Sequence, residues 1–262
     1  MSDRHLTEGK TISRDEIPPE TDGFLGGRLR LRQSGKGYRA GMDAALLAAA
    51  CDAKTGDRVV EAGCGPGAVL LSAAFRRPDA AFTGLEMDPA ALALAQDNII
   101  LNSLADRVTV QAADIGKPFA QLNLPPFDGA LANPPFFDDP GALRAPRPEK
   151  QAAWMAQGRL EAWTIFLLKS VREGGTITVI HRADRLADLL ALLGPKAGSF
   201  QVRPIHPFAD APAKRVLVRA RKTGKAPLQL LPPVILHDRD GGKHTPHADA
   251  LLRGEAALEW AQ

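Results

Sequence analysis

Asn133-Pro134-Pro135-Phe136 and, about 70 residues earlier, Glu61-Ala62-Gly63-Cys64-Gly65-Pro66-Gly67 are the segments of this chain whose residue types and spacing suit chemistry. The nitrogen of an aromatic amine or an amide is a poor nucleophile because its lone pair is delocalised. Two acceptors placed beside it, the amide oxygen of Asn133 and the backbone carbonyl of Pro134, would take its two hydrogens and favour a pyramidal, nucleophilic nitrogen. Successive prolines fix φ and hold that carbonyl rigidly. Phe136 would stack on the planar group, and Phe137 would replace a lost stacking neighbour. The competing reading is that Pro134-Pro135 ends a strand and Phe136-Phe137 fills a core.

The glycine segment follows a short apolar strand. Ligands of open α/β sheets bind at the carboxyl ends of strands, and glycine permits a tight turn and a close backbone approach. Gly63-Cys64-Gly65-Pro66-Gly67-Ala68 fits a dinucleotide-binding loop, with Glu86 about 20 residues on, so NAD is a rival ligand. Glu61 points elsewhere: a carboxylate ahead of the glycines suits a cationic amino-acid moiety better than a pyrophosphate. Glu86, at the end of the next strand, can accept hydrogen bonds from both ribose hydroxyls, and Asp114 from an adenine amine. Cys64 reads as a small space-filler, not a nucleophile.

Together these residues resemble the class I methyltransferases that use S-adenosylmethionine, specifically the small-domain group with an Asn-Pro-Pro-Phe motif. Gly37-Tyr38-Arg39-Ala40-Gly41-Met42-Asp43 and Leu236-His237-Asp238-Arg239-Asp240-Gly241-Gly242-Lys243-His244-Thr245-Pro246 resemble segments of bacterial enzymes that methylate the adenine exocyclic amine of a valine tRNA. The resemblance implies a Rossmann-like α/β fold: a seven-stranded, mostly parallel sheet with helices on both faces and a reversed edge strand. It implies S-adenosylmethionine held by Glu61, Gly63, Cys64, Gly65, Gly67, Glu86, Met87, Asp114, Ile115 and Asn133, with Tyr38, Arg39 and Asp43 closing over it. Asn133, Pro134, Pro135 and Phe136 become the catalytic residues. The expected reaction is methylation of a planar exocyclic nitrogen, foremost adenine N6 in tRNA or another structured RNA. The alternatives are O- or N-methylation of a small molecule, methylation of a protein glutamine, and a non-catalytic RNA-binding scaffold. Glutamine methyltransferases carry a longer helical N-terminal domain and Tyr at the Phe136 position, and an O-methyltransferase needs a base or metal to prepare its hydroxyl.

The elements that must position these groups are legible in outline. Val59–Ala62, Ala81–Glu86, Val108–Ala112, Phe127–Ala132 and Thr176–His181 read as strands, with further strands near Phe200–Ile205 and Arg215–Ala220. Helices are expected over Met42–Cys51, Ala68–Arg76, Pro89 to about Asn102, Arg159–Arg172 and Ala183–Leu193. Asp88-Pro89 carries an N-cap and a first-turn proline. The alternation argues for a parallel sheet covered on both faces. Leu29 and Leu31 alternate with Arg28, Arg30 and Arg32, so a strand there would bury the leucines and line up the arginines. With Lys36 they form a candidate phosphate-contacting ribbon. A second basic run is Lys214, Arg215, Arg219, Arg221, Lys222 and Lys225. Expected domains are an N-terminal arm (1–22), a segment covering the cofactor site (23–50), the methyltransferase core (51–225) and a C-terminal extension (226–262).

Of 262 residues, 45% are hydrophobic and 24% charged, with a net charge of only +3, so any nucleic-acid contact must be local. Two cysteines far apart give no disulfide framework. Neither a signal-peptide core nor a membrane-spanning run is present, and the reading is a cytoplasmic protein without membrane contact. His237, His244 and His247 with Asp238 and Asp240 invite a metal, but Pro246 spoils a helical ligand face, and no metal is expected. The oligomeric state is not legible.

Overall fold

The structure, a computed structural model, describes residues 20–33, 41–135 and 160–261. Tyr38, Arg39, Lys36, Phe136, Phe137, Trp154 and the first 19 residues lie outside them.

The described chain begins with an antiparallel hairpin of β1 (Glu20–Phe24) and β2 (Leu29–Gln33), so residues 20–22 of the expected arm are strand. Its turn uses left-handed backbone at Leu25, Gly26 and Gly27, a conformation natural to glycine. Leu29 and Leu31 are buried and the arginines between them exposed, as the alternation requires.

The remaining strands form one sheet. They are β3 (Arg58–Ala62), β4 (Ala81–Glu86), β5 (Val108–Ala112), β6 (Phe127–Ala132), β7 (Val171–Arg182), β8 (Ala197–His206) and β9 (Arg215–Lys222), in the order β5-β4-β3-β6-β7-β9-β8. Two short strands, β10 (Gln229–Leu230) and β11 (Val234–Ile235), run along the outer side of β8. Only β9 is antiparallel to its neighbours. The reversed strand therefore stands one place in from the edge. β7 and β8 are parallel, and the chain crosses between them with a gap of one strand, which β9 fills by turning back from β8.

α1 (Met42–Ala49), α2 (Ala68–Arg76), α3 (Pro89–Leu101) and α6 (Pro246–Leu252) pack on one face; α4 (Leu160–Ser170) and α5 (Leu186–Leu193) pack on the other. The two cores take alternate residues of the same strands: Val59 faces the first and Val60 the second, the period-two rule of a strand buried on both sides. Asp88 caps α3 as its sequence demands, its Oδ1 accepting from the amides of Ala90 (2.8 Å) and Ala91 (3.2 Å). Thr245-Pro246 starts α6 in the same way. The helix expected over Arg159–Arg172 stops at Ser170. Val171 already pairs with Phe127, and the chain bulges through Gly174 and Gly175 opposite Phe127–Gly129.

The hairpin is joined to the sheet layer by two asparagines one helical turn apart on α3. Arg32 N donates to Asn98 Oδ1 (2.7 Å) and Asn98 Nδ2 donates to Arg32 O (3.0 Å). Arg30 N donates to Asn102 Oδ1 (2.9 Å) and Asn102 Nδ2 to Arg30 O (2.7 Å). Two strand residues rise about 6.7 Å and four helical residues about 6 Å, so side-chain amides at i and i+4 stand in for a neighbouring strand. Asn98 is fully buried and gives a further bond, from Nδ2 to Pro66 O (2.9 Å). Asn98→Ala leaves three part-buried backbone groups without this partner and is expected to cost about 2–4 kcal/mol. Asn102→Ala, nearer solvent, is expected to cost under about 1 kcal/mol, both read from urea unfolding.

Candidate active site

The β3 and β6 strands are paired so that Ala62 lies beside Ala132. Gly63 and Asn133 therefore leave neighbouring strands side by side on the carboxyl rim of the sheet. Topology thus brings the glycine loop and the Asn133-Pro134-Pro135 turn together, though they are distant in sequence.

The loop has almost no freedom. Gly63, Gly65 and Gly67 have φ of +64, +53 and +90, and Gly67 is also the N-cap of α2. A side chain at Gly63 would overlap the ring of Trp163, in the first turns of α4. A methyl group at Gly84, in β4, would lie 2.7 Å from Cys64 Sγ and 2.8 Å from Leu70 Cδ2. Cys64 is thus packed against bare backbone, and its burial, with the charges of Glu61 and Glu86, holds the thiol well above its usual range. That environment disfavours the thiolate a nucleophile needs.

Three carboxylates surround the loop. Glu86 accepts from Gly65 N through Oε2 (2.8 Å) and from Met87 N and Asp88 N through Oε1 (2.8 Å each), so it ties the loop to the start of α3. A carboxylate accepts about four hydrogen bonds, so these three leave room for about one more, and a second ligand hydroxyl must share or displace one of them. Met87 is 42% exposed beside it. Asp114 Oδ1 accepts from Gly116 N (2.8 Å), fixing the turn after β5, and Ile115 is buried next to it. Glu61 is different. It is 2% exposed, and among the described residues its Oε2 has no hydrogen-bond partner. Burial pushes its carboxyl well above the usual carboxylate range; the Leu70 amide opposes this, and the charge of Glu86 adds to it.

Trp163 is a second buried group with unmet capacity: its Nε1 has no acceptor among the described residues. The sequence marks it only as a packing residue, and nothing in its local pattern shows that it lies against Gly63. Asn98 is missed for the same reason, since its contacts come from remote strands. β7 extends past its pairing with β6 and carries His181 to the rim on the far side of Asn133. Burial, with Arg185 and Arg215 nearby, pushes this imidazole down to about 4.

The remaining expected residues are dispersed. Asp43 forms an ion pair with Arg215 (2.9 Å), linking α1 to β9. Arg28 binds Arg253 O (2.8 Å) and Glu255 (3.0 Å), and Arg32 pairs with Asp97 (3.2 Å), so two of the three ribbon arginines already hold the hairpin in place. Arg30 is anchored by its backbone to Asn102. Four residues of the second basic run, Arg215, Arg219, Arg221 and Lys222, lie on the interior strand β9. Arg215 and Arg219 pair with Asp43 and Asp52, and Lys222 pairs with Glu173 (3.3 Å).

The contact of Gly63 with Trp163 gives a direct test. Gly63→Ala is expected to destabilise by about 2–4 kcal/mol through overpacking and left-handed backbone strain. Adding Trp163→Ala relieves the overlap, so the double variant is expected to be more stable than additivity allows by about 1–3 kcal/mol in a double-mutant cycle.

Comparison with known proteins places the chain among similar folds and sequences. Residues 39–145 match the family model of the methyltransferase small domain. A tRNA1(Val) (adenine(37)-N6)-methyltransferase of Dickeya chrysanthemi is 28% identical over 195 residues, 74% of this chain and 76% of that protein. The enzyme of the same name from Porphyromonas gingivalis is 29% identical over 64% of this chain and 68% of its own length. Among solved structures, a predicted O-methyltransferase from Agrobacterium tumefaciens superimposes with a TM-score of 0.69 at 27% identity, covering 82% of this chain and 98% of that one. A putative class I S-adenosylmethionine-dependent methyltransferase from Listeria monocytogenes shares the fold, with a TM-score of 0.53 at 13% identity over 81% of this chain and 68% of its own. The fold and these relatives support an S-adenosylmethionine-dependent methyltransferase, with residues 39–145 similar to the methyltransferase small domain.

Proposed function

We propose that the chain methylates the exocyclic N6 of an adenine in tRNA, with S-adenosylmethionine as donor. The observation that carries this reading is the pairing of Ala62 with Ala132, which sets the glycine cradle and Asn133-Pro134 on adjacent strand ends. The tRNA substrate is suggested by the names of the two bacterial relatives.

The residues of the cradle fit the donor. Glu61 presents a buried carboxylate oxygen in need of a cationic partner, and the α-amine of S-adenosylmethionine is such a group. The Nε1 of Trp163, without an acceptor among the described residues, suits its α-carboxylate. Glu86 would take the ribose hydroxyls by giving up part of its hold on the loop, and Asp114 and Ile115 would take the adenine. Gly65, where a Cβ would meet nothing within 4 Å, leaves room for close backbone approach. When bound, the donor supplies an electrophilic methyl group on a sulfonium.

Asn133 Oδ1 and the Pro134 carbonyl would accept the two hydrogens of the target amine. That orients its lone pair out of the ring plane. Pro134 is buried and Pro135 half-buried, so neither carbonyl nor amide can swing away. Phe136 would stack on the base. Orientation of this type supplies up to about 7–11 kcal/mol of a barrier. An RNA target must be splayed from its stack to reach the turn, and Arg28, Arg30, Arg32 and Lys36 would meet the backbone phosphates, the paired arginines exchanging carboxylate partners for phosphate.

Asn133→Ala is expected to reduce methyl transfer to tRNA by at least about a hundredfold while S-adenosylhomocysteine affinity stays within about twofold. Turnover at the wild-type rate would reject the role of Asn133. Transfer to bulk tRNA is also expected to fall steeply between 50 and 200 mM salt.

Glu61 links binding to stability. Its folded pKa is raised, so the stability this group contributes to the ligand-free protein is fully present below the ordinary glutamate value of 4.5 and is lost as pH rises through its raised folded value. Glu61→Gln is expected to remove that loss, raising the ligand-free melting temperature at pH 8, while weakening S-adenosylhomocysteine binding about tenfold to a hundredfold.

A further inference from the structure

The loops at the far end of the rim form a stacked column. β8 ends at His206 and β9 begins at Arg215, so residues 207–214 lie on the same edge as Asn133. β11 runs parallel to β8 with Ile235 beside His206, which brings Leu236–Thr245 to that edge too. Amide bonds from Leu236 N to His206 O (2.9 Å) and from His237 N to Pro207 O (2.9 Å) clamp the two loops together. Across them the rings follow one another. The Arg239 guanidinium lies 4.5 Å over Phe208, Phe208 is 5.6 Å from His237, and His237 stacks on His244 at 5.1 Å with 26° between planes. The Nδ1 of His237 donates to Lys243 O (2.5 Å), which fixes that ring's orientation.

Arg239 is the outer end of the column. Asp210 grips it from the side, accepting from Nε at 3.2 Å and from Nη2 at 3.0 Å. Phe208 covers one face of the guanidinium, yet the side chain remains 60% exposed. A planar group is thus held at its edge and on one face, with the other face open to solvent. The loops carry Lys214, Arg239 and Lys243 against Asp210, Asp238 and Asp240, a formal sum of zero. An anionic backbone gains little from such a surface, whereas a flat, uncharged ring gains a preformed stacking partner.

We propose that the open face of Arg239, backed by Phe208 and held by Asp210, is a stacking platform for a nucleobase of the RNA substrate flanking the methyl acceptor. Three strand spacings, β6 to β7 to β9 to β8, separate the platform from Asn133, about 14 Å along the rim. The base it takes is therefore not the target but a neighbour a few nucleotides away, and the platform sets which stretch of RNA lies over the catalytic turn. The inference rests on the tRNA reading above.

The test is steady-state methylation of bulk tRNA by the full chain and by Arg239→Lys and Arg239→Ala variants, with S-adenosylhomocysteine affinity and melting temperature measured in parallel. Lysine keeps the charge and loses the plane. Both variants are expected to raise the tRNA KM about tenfold, with kcat, nucleoside affinity and the salt dependence of binding unchanged. Phe208→Leu, which leaves Arg239 unsupported, is expected to fall between them and wild type. Recovery of the wild-type KM in Arg239→Lys would mean a simple charge contact and overturn the platform, as would a KM within twofold of wild type in all three. A wild-type chain that methylates no tRNA would overturn the substrate reading itself, and the platform with it.

Discussion

The loop between β3 and α2 is packed against both helix layers and held by the neighbouring strand while the space beside Gly65 stays open, and the arrangement of the molecule follows from keeping it so. Trp163 occupies the space where a side chain at Gly63 would go, and Cys64 fills the space left bare by Gly84. Asn98 holds Pro66 from α3, and Glu86 holds Gly65 from β4. These contacts come from both helix layers and from the neighbouring strand. A shift of any one of these elements would move the loop, so the rim is only as rigid as the packing beneath it. The N-terminal hairpin, at first sight an appendage, belongs to this frame because Asn98 binds Arg32 and Pro66 at once.

The same enclosure makes the site costly without its ligand. A carboxylate at the position of Glu61 has lost its hydration and gained no cation among the described residues. Isolated buried charge is among the more expensive features a fold can carry, and here it lies where a donor's amine would arrive. Stability is given up at the point where affinity is needed, a pattern common to sites that must be ready before their ligand comes. Cys64, under the same low dielectric, stays an inert thiol.

Much of the sheet could be read from local grammar. Asp88-Pro89 announced α3 because an N-cap and a first-turn proline act within one turn, and the apolar strands announced themselves by their length and flanking glycines. Thr245-Pro246 carries the same grammar, but the histidines around it drew attention to metal chemistry, and α6 was not read. β1 was hidden because Glu20–Phe24 has almost no apolar alternation of its own; its partner β2 supplies the buried leucines. The basic residues of β9 stand out in the sequence only as a run of charge; they lie on an interior strand where Arg215 and Arg219 find carboxylates on α1 and at Asp52. The types of residue around the candidate site were legible from the strand ends. Trp163, Asn98 and the Arg239 column were not, because each depends on which remote segments the topology brings together.

The placement of β9 has a consequence for how the chain is made. Among the long strands it is the last to be synthesised, yet it sits inside the sheet between β7 and β8. A nascent chain that has reached the end of β8 at His206 has two long parallel strands, β7 and β8, whose shared partner in the finished sheet does not yet exist. Unpaired edges of this kind recruit other strands. Between the emergence of β8 and the insertion of β9 the growing polypeptide is therefore most exposed to mispairing with other chains. The narrow turn at residues 207–214, which the mature protein places on its working rim, is also the hinge that must fold back promptly to close that gap.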